Sequence, residues 1–134
     1  MRIAILGNLN NPLLAIYLKG LCNNSNLYCV ILDSKQLSAK DLEIWEERTC
    51  SFFSDLDVNG FNLNLPFYLF ENHNSKECMD FIVNKKIDLL INAGTPRILS
   101  KEFISLPSIG VLNCHPGILP NYRGCSCVEW ALYN

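Results

Sequence analysis

Val111-Leu112-Asn113-Cys114-His115-Pro116-Gly117-Ile118-Leu119-Pro120-Asn121-Tyr122-Arg123-Gly124 is the stretch on which the reading of this chain turns. Its first residues form a short apolar strand that ends on two polar side chains, Asn113 and His115. Residues two apart on an extended strand face the same side, so both side chains can address one small group. Pro116, Gly117 and Pro120 then impose an irregular loop, because proline fixes φ and glycine admits positive φ. The tight loop makes Leu119–Pro120 a candidate for a cis peptide bond. A helical tail, Cys125 to Tyr133, follows. Polar residues at the C-terminal end of a strand, before a stiff loop, are how an open α/β sheet presents a site.

The residues upstream repeat a strand–helix alternation. Ile3 to Leu6 is an unbroken apolar run closed by Gly7, as for a strand buried on both faces. Asn11-Pro12 starts a helix, with Asn as the cap and Pro in the first turn, and the helix runs to about Cys22. Strands are expected at Tyr28 to Leu32, Phe67 to Phe70 and Ile87 to Ile91. Helices are expected at Ser38 to Arg48, at Ser75 to Lys85 and, briefly, at Ser100 to Ser105. Thr49 to Leu65 is irregular, and its Phe52, Phe53, Phe61 and Leu63 are expected over the sheet edge. This order predicts an α/β fold with a mostly parallel sheet and helices on both faces, in one domain. The ends of two strands, Asn92-Ala93-Gly94 and Asn113-Cys114-His115, should lie on one rim.

Composition narrows the function classes. Of 134 residues, 49% are hydrophobic, enough for a core, and the net charge of -2 signals no electrostatic grip on nucleic acid. No apolar run approaches the roughly 18 residues of a membrane span, and the N-terminal run is too short for a signal peptide. The 7 cysteines, odd in number and irregularly spaced, read as reduced thiols of a cytoplasmic protein. The β-α-β-Asp opening lacks the glycines of a dinucleotide site: Gly7 stands alone, and Asn10 and Pro12 occupy places that would suit glycine. Asp33 is then expected to be a solvated residue at a strand end, and His73 a solvated or capping residue in a turn. There is no P-loop, no Cys–His or Ser–His pair with an evident third partner, and no set of histidines that points to a metal.

What remains is the Asn113–His115 pair. An amide and an imidazole suit the stabilisation of a developing oxyanion, with His as donor or proton carrier. The residues alone leave a structural alternative open, in which Asn113 bonds the loop backbone and His115 packs under Pro120.

A longer pattern bears on that choice. Ile87-Asp88-Leu89-Leu90-Ile91, Gly94, Arg97-Ile98-Leu99, Gly110 to Pro120, Tyr122-Arg123-Gly124 and Trp130-Ala131-Leu132 together closely resemble the formyltransferase family. That family includes glycinamide ribonucleotide, methionyl-tRNA and nucleotide-sugar formyltransferases. The resemblance is specific from Ile87 onward and architectural before it. It implies a Rossmann-like three-layer sandwich of formyltransferase type, and transfer of a formyl group from 10-formyltetrahydrofolate to a primary amine. It implies catalytic roles for Asn113 and His115, and a folate-binding role, partly through backbone groups, for Arg97, Ile98 and Leu99. The family's third catalytic residue is an Asp on a later loop that has no counterpart here. Asp80 and Asp88 belong to other elements, so the resemblance implies a domain incomplete at its C-terminus. Pro116-Gly117 and Cys125 to Trp130 look more like the branch acting on nucleotide-linked amino sugars. Methionyl-tRNA formylation, with a tRNA grip in a further domain, and a non-catalytic remnant binding folate or a partner are the alternatives.

Overall fold

The structure is a computed structural model that describes residues 1–8, 11, 13–36, 38–49, 64–115, 117–122 and 127–133. Five parallel strands form one sheet: β1 (Ile3–Asn8), β2 (Leu27–Asp33), β3 (Phe67–Phe70), β4 (Leu89–Asn92) and β5 (Gly110–Asn113). Their order is β3-β2-β1-β4-β5. The chain therefore winds outward from β1 to one edge, returns beside β1, and winds to the other. A crevice forms at such a reversal, outside the C-terminal strand ends. The helices are α1 (Leu13–Leu21), α2 (Ala39–Thr49), α3 (Lys76–Asn84), the single turn α4 (Lys101–Ile104) and α5 (Cys127–Tyr133). Among the described residues no helix is long and apolar enough to cross a membrane.

Alternation along the strands divides the core in two. Ala4, Leu6, Cys29, Ile31 and Leu90 face α3 and α4, where they meet Cys78, Ile82 and Phe103. Ile3, Ile5, Val30, Leu32 and Ile91 face α1 and its Leu14 and Leu18. This two-sided burial explains why β1 and β2 read as continuous apolar runs. Each fully buried Leu or Ile contributes about 1.5–3 kcal/mol over its exposed state.

The expected elements are present, with shifted ends. β1 runs past Gly7 to Asn8, and β2 extends to Asp33. β4 starts two residues later than the apolar pattern predicts: Asp88 N–H instead bonds the Arg2 carbonyl at 2.9 Å, and the Asp88 carboxylate accepts from Arg2 N at 2.8 Å. β3 has the predicted bounds. Three helix starts are capped. Ser75 Oγ accepts from Cys78 N, and Ser100 Oγ from Phe103 N. Asn11 Oδ1 accepts from Leu13 N at 3.0 Å. Pro12, Phe52, Phe53, Phe61, Leu63 and Cys125 lie outside the described residues.

Two expectations are overturned. Asp33 is not solvated and His73 is not on the surface; they are 1% and 0% exposed. The Asp33 carboxylate accepts from Lys35 N at 2.8 Å, His73 N at 3.1 Å, His73 Nδ1 at 2.8 Å and Arg97 Nε at 3.0 Å. Arg97 Nη2 also donates to the Glu71 carbonyl at 3.2 Å. One carboxylate thus ties together the end of β2, the β3–α3 turn and the segment after β4. A buried charge is tolerated when it is paired and fully hydrogen-bonded, which sequence pattern cannot reveal. Burial pushes the Asp33 carboxyl up, but the backbone N–H groups and the Arg97 guanidinium outweigh it, and the net shift is downward. Burial lowers His73 more than Asp33 raises it, so the imidazole stays neutral and donates through Nδ1. Its Nε2 is buried and has no partner among the described residues.

Both shifts give the same acid response. The unfolded chain protonates His73 near its ordinary 6.5, before the folded chain does. Stability is therefore whole above that pH and falls below it, levelling off beneath the depressed folded value. A second loss begins as pH drops under 3.8, toward the lower folded value of Asp33. Urea midpoints taken across this range should decline on acidification; a flat profile contradicts the assignment. Asp33→Asn, which leaves Arg97 without its counter-charge, should cost about 3 kcal/mol in the same measurement at neutral pH.

Candidate functional site

The end of β5 sits beside the end of β4, with Asn92 and Asn113 in register. The two expected strand ends therefore share one rim. Leu112 turns toward α1 and lines an apolar groove of about 310 Å³ with Ile16, Tyr17, Gly20, Leu21 and Ile91. Val111 packs on the opposite face, against the core that holds Phe103. Asn113 takes the same side as Val111 by alternation. Cys114 falls on the α1 side, beside Tyr17: burial raises the Tyr17 phenol, and the Cys114 thiol raises it further.

Asn113 is exposed, and its Oδ1 accepts from Asn92 Nδ2 at 2.9 Å. His115 is half-buried, two residues beyond the strand end, with Nε2 2.6 Å from the Tyr122 carbonyl oxygen. A carbonyl can only accept, so Nε2 carries the hydrogen, and Nδ1 is the nitrogen left to take a proton. The loop that brings Tyr122 back is tight. A Cβ at Gly117 would collide with the Tyr122 carbonyl, and Leu119–Pro120 is cis, as the loop composition predicts. Asn113 thus bonds a neighbouring side chain, and His115 bonds the loop backbone at Tyr122.

Arg97, Ile98 and Leu99 follow β4 on the same rim. The Arg97 side chain turns inward to Asp33 and Glu71, so its guanidinium is committed within the fold. The backbone of the segment is held from both sides. Asn74 Nδ2 donates to the Ile98 carbonyl and Asn74 Oδ1 accepts from Ser100 N, each at 2.9 Å, while Thr95 Oγ1 donates to the Arg97 carbonyl at 3.0 Å. Between these fastenings the N–H and C=O of Leu99 bond no described residue. Ile98 is 92% exposed. The segment thus offers an unbonded backbone edge at Leu99 and an exposed apolar side chain at Ile98. Gly94 sets its start: φ is +83°, and a Cβ there would strike Asn11 Nδ2, which donates to the Gly94 carbonyl at 2.9 Å.

Asn74, Asn92 and Thr95 were not singled out from sequence. The alternation of β4 did hold a usable signal, since Asn92 falls in register with Asn113 once the two strands are taken as neighbours.

The formyl transferase family model matches residues 1–134. The bifunctional polymyxin resistance protein ArnA of Wigglesworthia glossinidia brevipalpis is 31% identical over 83 residues, 62% of this chain and 13% of that protein. The methionyl-tRNA formyltransferase of Thermotoga maritima is 39% identical over 70 residues, 52% of this chain and 22% of that protein. The match thus spans under a quarter of either relative's length. Among solved structures, phosphoribosylglycinamide formyltransferase from Anaplasma phagocytophilum matches with a TM-score of 0.61 at 19% identity, over 98% of this chain and 57% of that one. At that identity the likeness is one of fold. An open rim carrying Asn113 and His115, an α/β sheet of this order and a family match along the whole chain lead to one conclusion: the chain belongs to the formyl transferase family.

Proposed function

We propose that this protein transfers a formyl group from 10-formyltetrahydrofolate to a primary amine of a small substrate, with a nucleotide-linked amino sugar as the acceptor. The observation that carries this reading is that Asn113 and His115 stand at the end of β5, on the sheet rim that also bears the unbonded backbone of Leu99.

The residues fit such a donor. A flat heterocycle with alternating donors and acceptors needs a backbone edge and apolar cover, which Leu99 and Ile98 present. Arg97, held by Asp33, contributes by fixing this segment. When bound, 10-formyltetrahydrofolate supplies a formyl carbon attached to a nitrogen leaving group. Asn113 donates from Nδ2 to the formyl oxygen as negative charge builds there. His115, oriented by its Nε2–H bond to Tyr122, holds or moves a proton at Nδ1. Protonated there, it adds a second donor to the same charge.

The acceptor assignment draws on the Pro116-Gly117 and Cys125 to Trp130 likeness and on charge. With a net charge of -2, these residues offer no stripe to neutralise a tRNA backbone. Methionyl-tRNA is the second reading, favoured by the relatives that bear that enzyme's name. Formyl transfer by the full-length protein, measured with a panel of nucleotide-linked amino sugars and with methionyl-tRNA, separates the two. Transfer to the sugars is expected; transfer only to the tRNA overturns the acceptor assignment, and donor binding without transfer to any amine overturns the enzyme reading in favour of a folate-binding remnant. In the active assay, His115→Ala and Asn113→Ala should each lower kcat by about a hundredfold or more. Retention of full kcat by either variant removes that residue from the mechanism.

A further inference from the structure

The amide of Asn113 is useful to the reaction in only one of its two orientations. With Nδ2 outward it donates to a formyl oxygen; turned over, it sets a carbonyl oxygen against developing negative charge. The hydrogen bonds behind it decide between them. Thr95 N–H lies 3.2 Å from Asn92 Oδ1, and Asn92 Nδ2 lies 2.9 Å from Asn113 Oδ1. A backbone N–H can only donate, so the Asn92 atom facing it must be oxygen. The other terminal atom of Asn92 is then the NH₂ group, which also can only donate. The Asn113 atom it meets must therefore be oxygen, and the Asn113 NH₂ is left facing away from Asn92, where it bonds no described residue. The register of β4 and β5 holds the two side chains opposite each other, so reversal of Asn113 would bring two donors face to face.

We propose that Asn92 is a positioning residue. It transmits the polarity of the Thr95 backbone N–H to Asn113 and holds that amide with its donors toward the reacting carbonyl. The proposal rests on the formyl-transfer reading for its catalytic consequence, and on the hydrogen-bond relay alone for the orientation.

Two substitutions distinguish this role from a merely structural one. Asn92→Asp keeps the acceptor for Thr95 but presents a second oxygen to Asn113, which should draw the NH₂ inward and turn the carbonyl outward. Asn92→Leu leaves Asn113 free to take either orientation. The expected order of kcat is wild type, then Asn92→Leu, then Asn92→Asp, with the aspartate variant down by about tenfold or more and KM for the formyl donor within about twofold. A structural role predicts the reverse, since aspartate is the closer mimic and retains the Thr95 bond. Kinetics placing Asn92→Asp at or above Asn92→Leu overturns the proposal.

A readout independent of turnover is the side-chain amide signal of Asn113 in ¹⁵N-labelled protein, assigned through Asn113→Asp. It should move downfield in Asn92→Asp as the NH₂ becomes bound to a carboxylate. An unmoved signal overturns the relay even if formyl transfer is robust. A shifted signal in a protein that transfers no formyl group upholds the relay and instead refutes the reaction assigned above.

Discussion

A single buried carboxylate holds the C-terminal rim of this sheet together. Asp33 accepts from two backbone N–H groups, an imidazole and a guanidinium, contributed by three separate segments. Parallel strands end at the same level, but nothing in the sheet itself dictates how the loops beyond them run. Here the direction comes from charge. With His73 neutral, the charges that must balance are Asp33 and Arg97, 3.0 Å apart, and removing either would leave the other uncompensated beside the core. The cost is that the Arg97 side chain is committed to the fold. The gain is a segment, Arg97 to Leu99, whose backbone is fixed while its Leu99 edge stays open.

The rim therefore divides by chemistry. Beyond β2 and β3 the described residues close around one hydrogen-bonded charge, with His73 Nε2 the buried side-chain atom among them left without a partner. Beyond β4 and β5 the described residues present amides, one imidazole and an exposed isoleucine. That division suits a reaction in which charge appears on a bound carbonyl. Donors held in place beforehand by their own hydrogen bonds stabilise such charge without reorganising as it forms. The apolar groove beside α1 lies on the other face of β5, and among the described residues Tyr17 is its one polar side chain, so it offers little to that chemistry.

Much of this was legible in the sequence. Strand–helix alternation gave the layers, the cap at Asn11 was readable from residue type, and the Asn113–His115 run stood out because proline and glycine follow it at once. The pairing at the centre of the rim was not legible. Asp33, His73 and Arg97 each sit in an ordinary position, an acid at a strand end, a histidine in a turn and an arginine after a strand, separated by 40 and 64 residues from Asp33. Taken singly, each is more economically read as solvated. Only folding shows that all three side chains are drawn to one point. The same holds for Asn92, whose meaning depends on which strand lies next to β4.

The central claim is that the formyl oxygen meets the Asn113 amide. The most direct measurement is a crystal structure of the full-length protein with a stable formyl-folate analogue bound. A formyl oxygen within about 3 Å of Asn113 Nδ2, with the heterocycle against the Leu99 backbone, is the predicted result. An analogue seated in the α1 groove, or with its formyl group directed away from Asn113 and His115, would contradict the account.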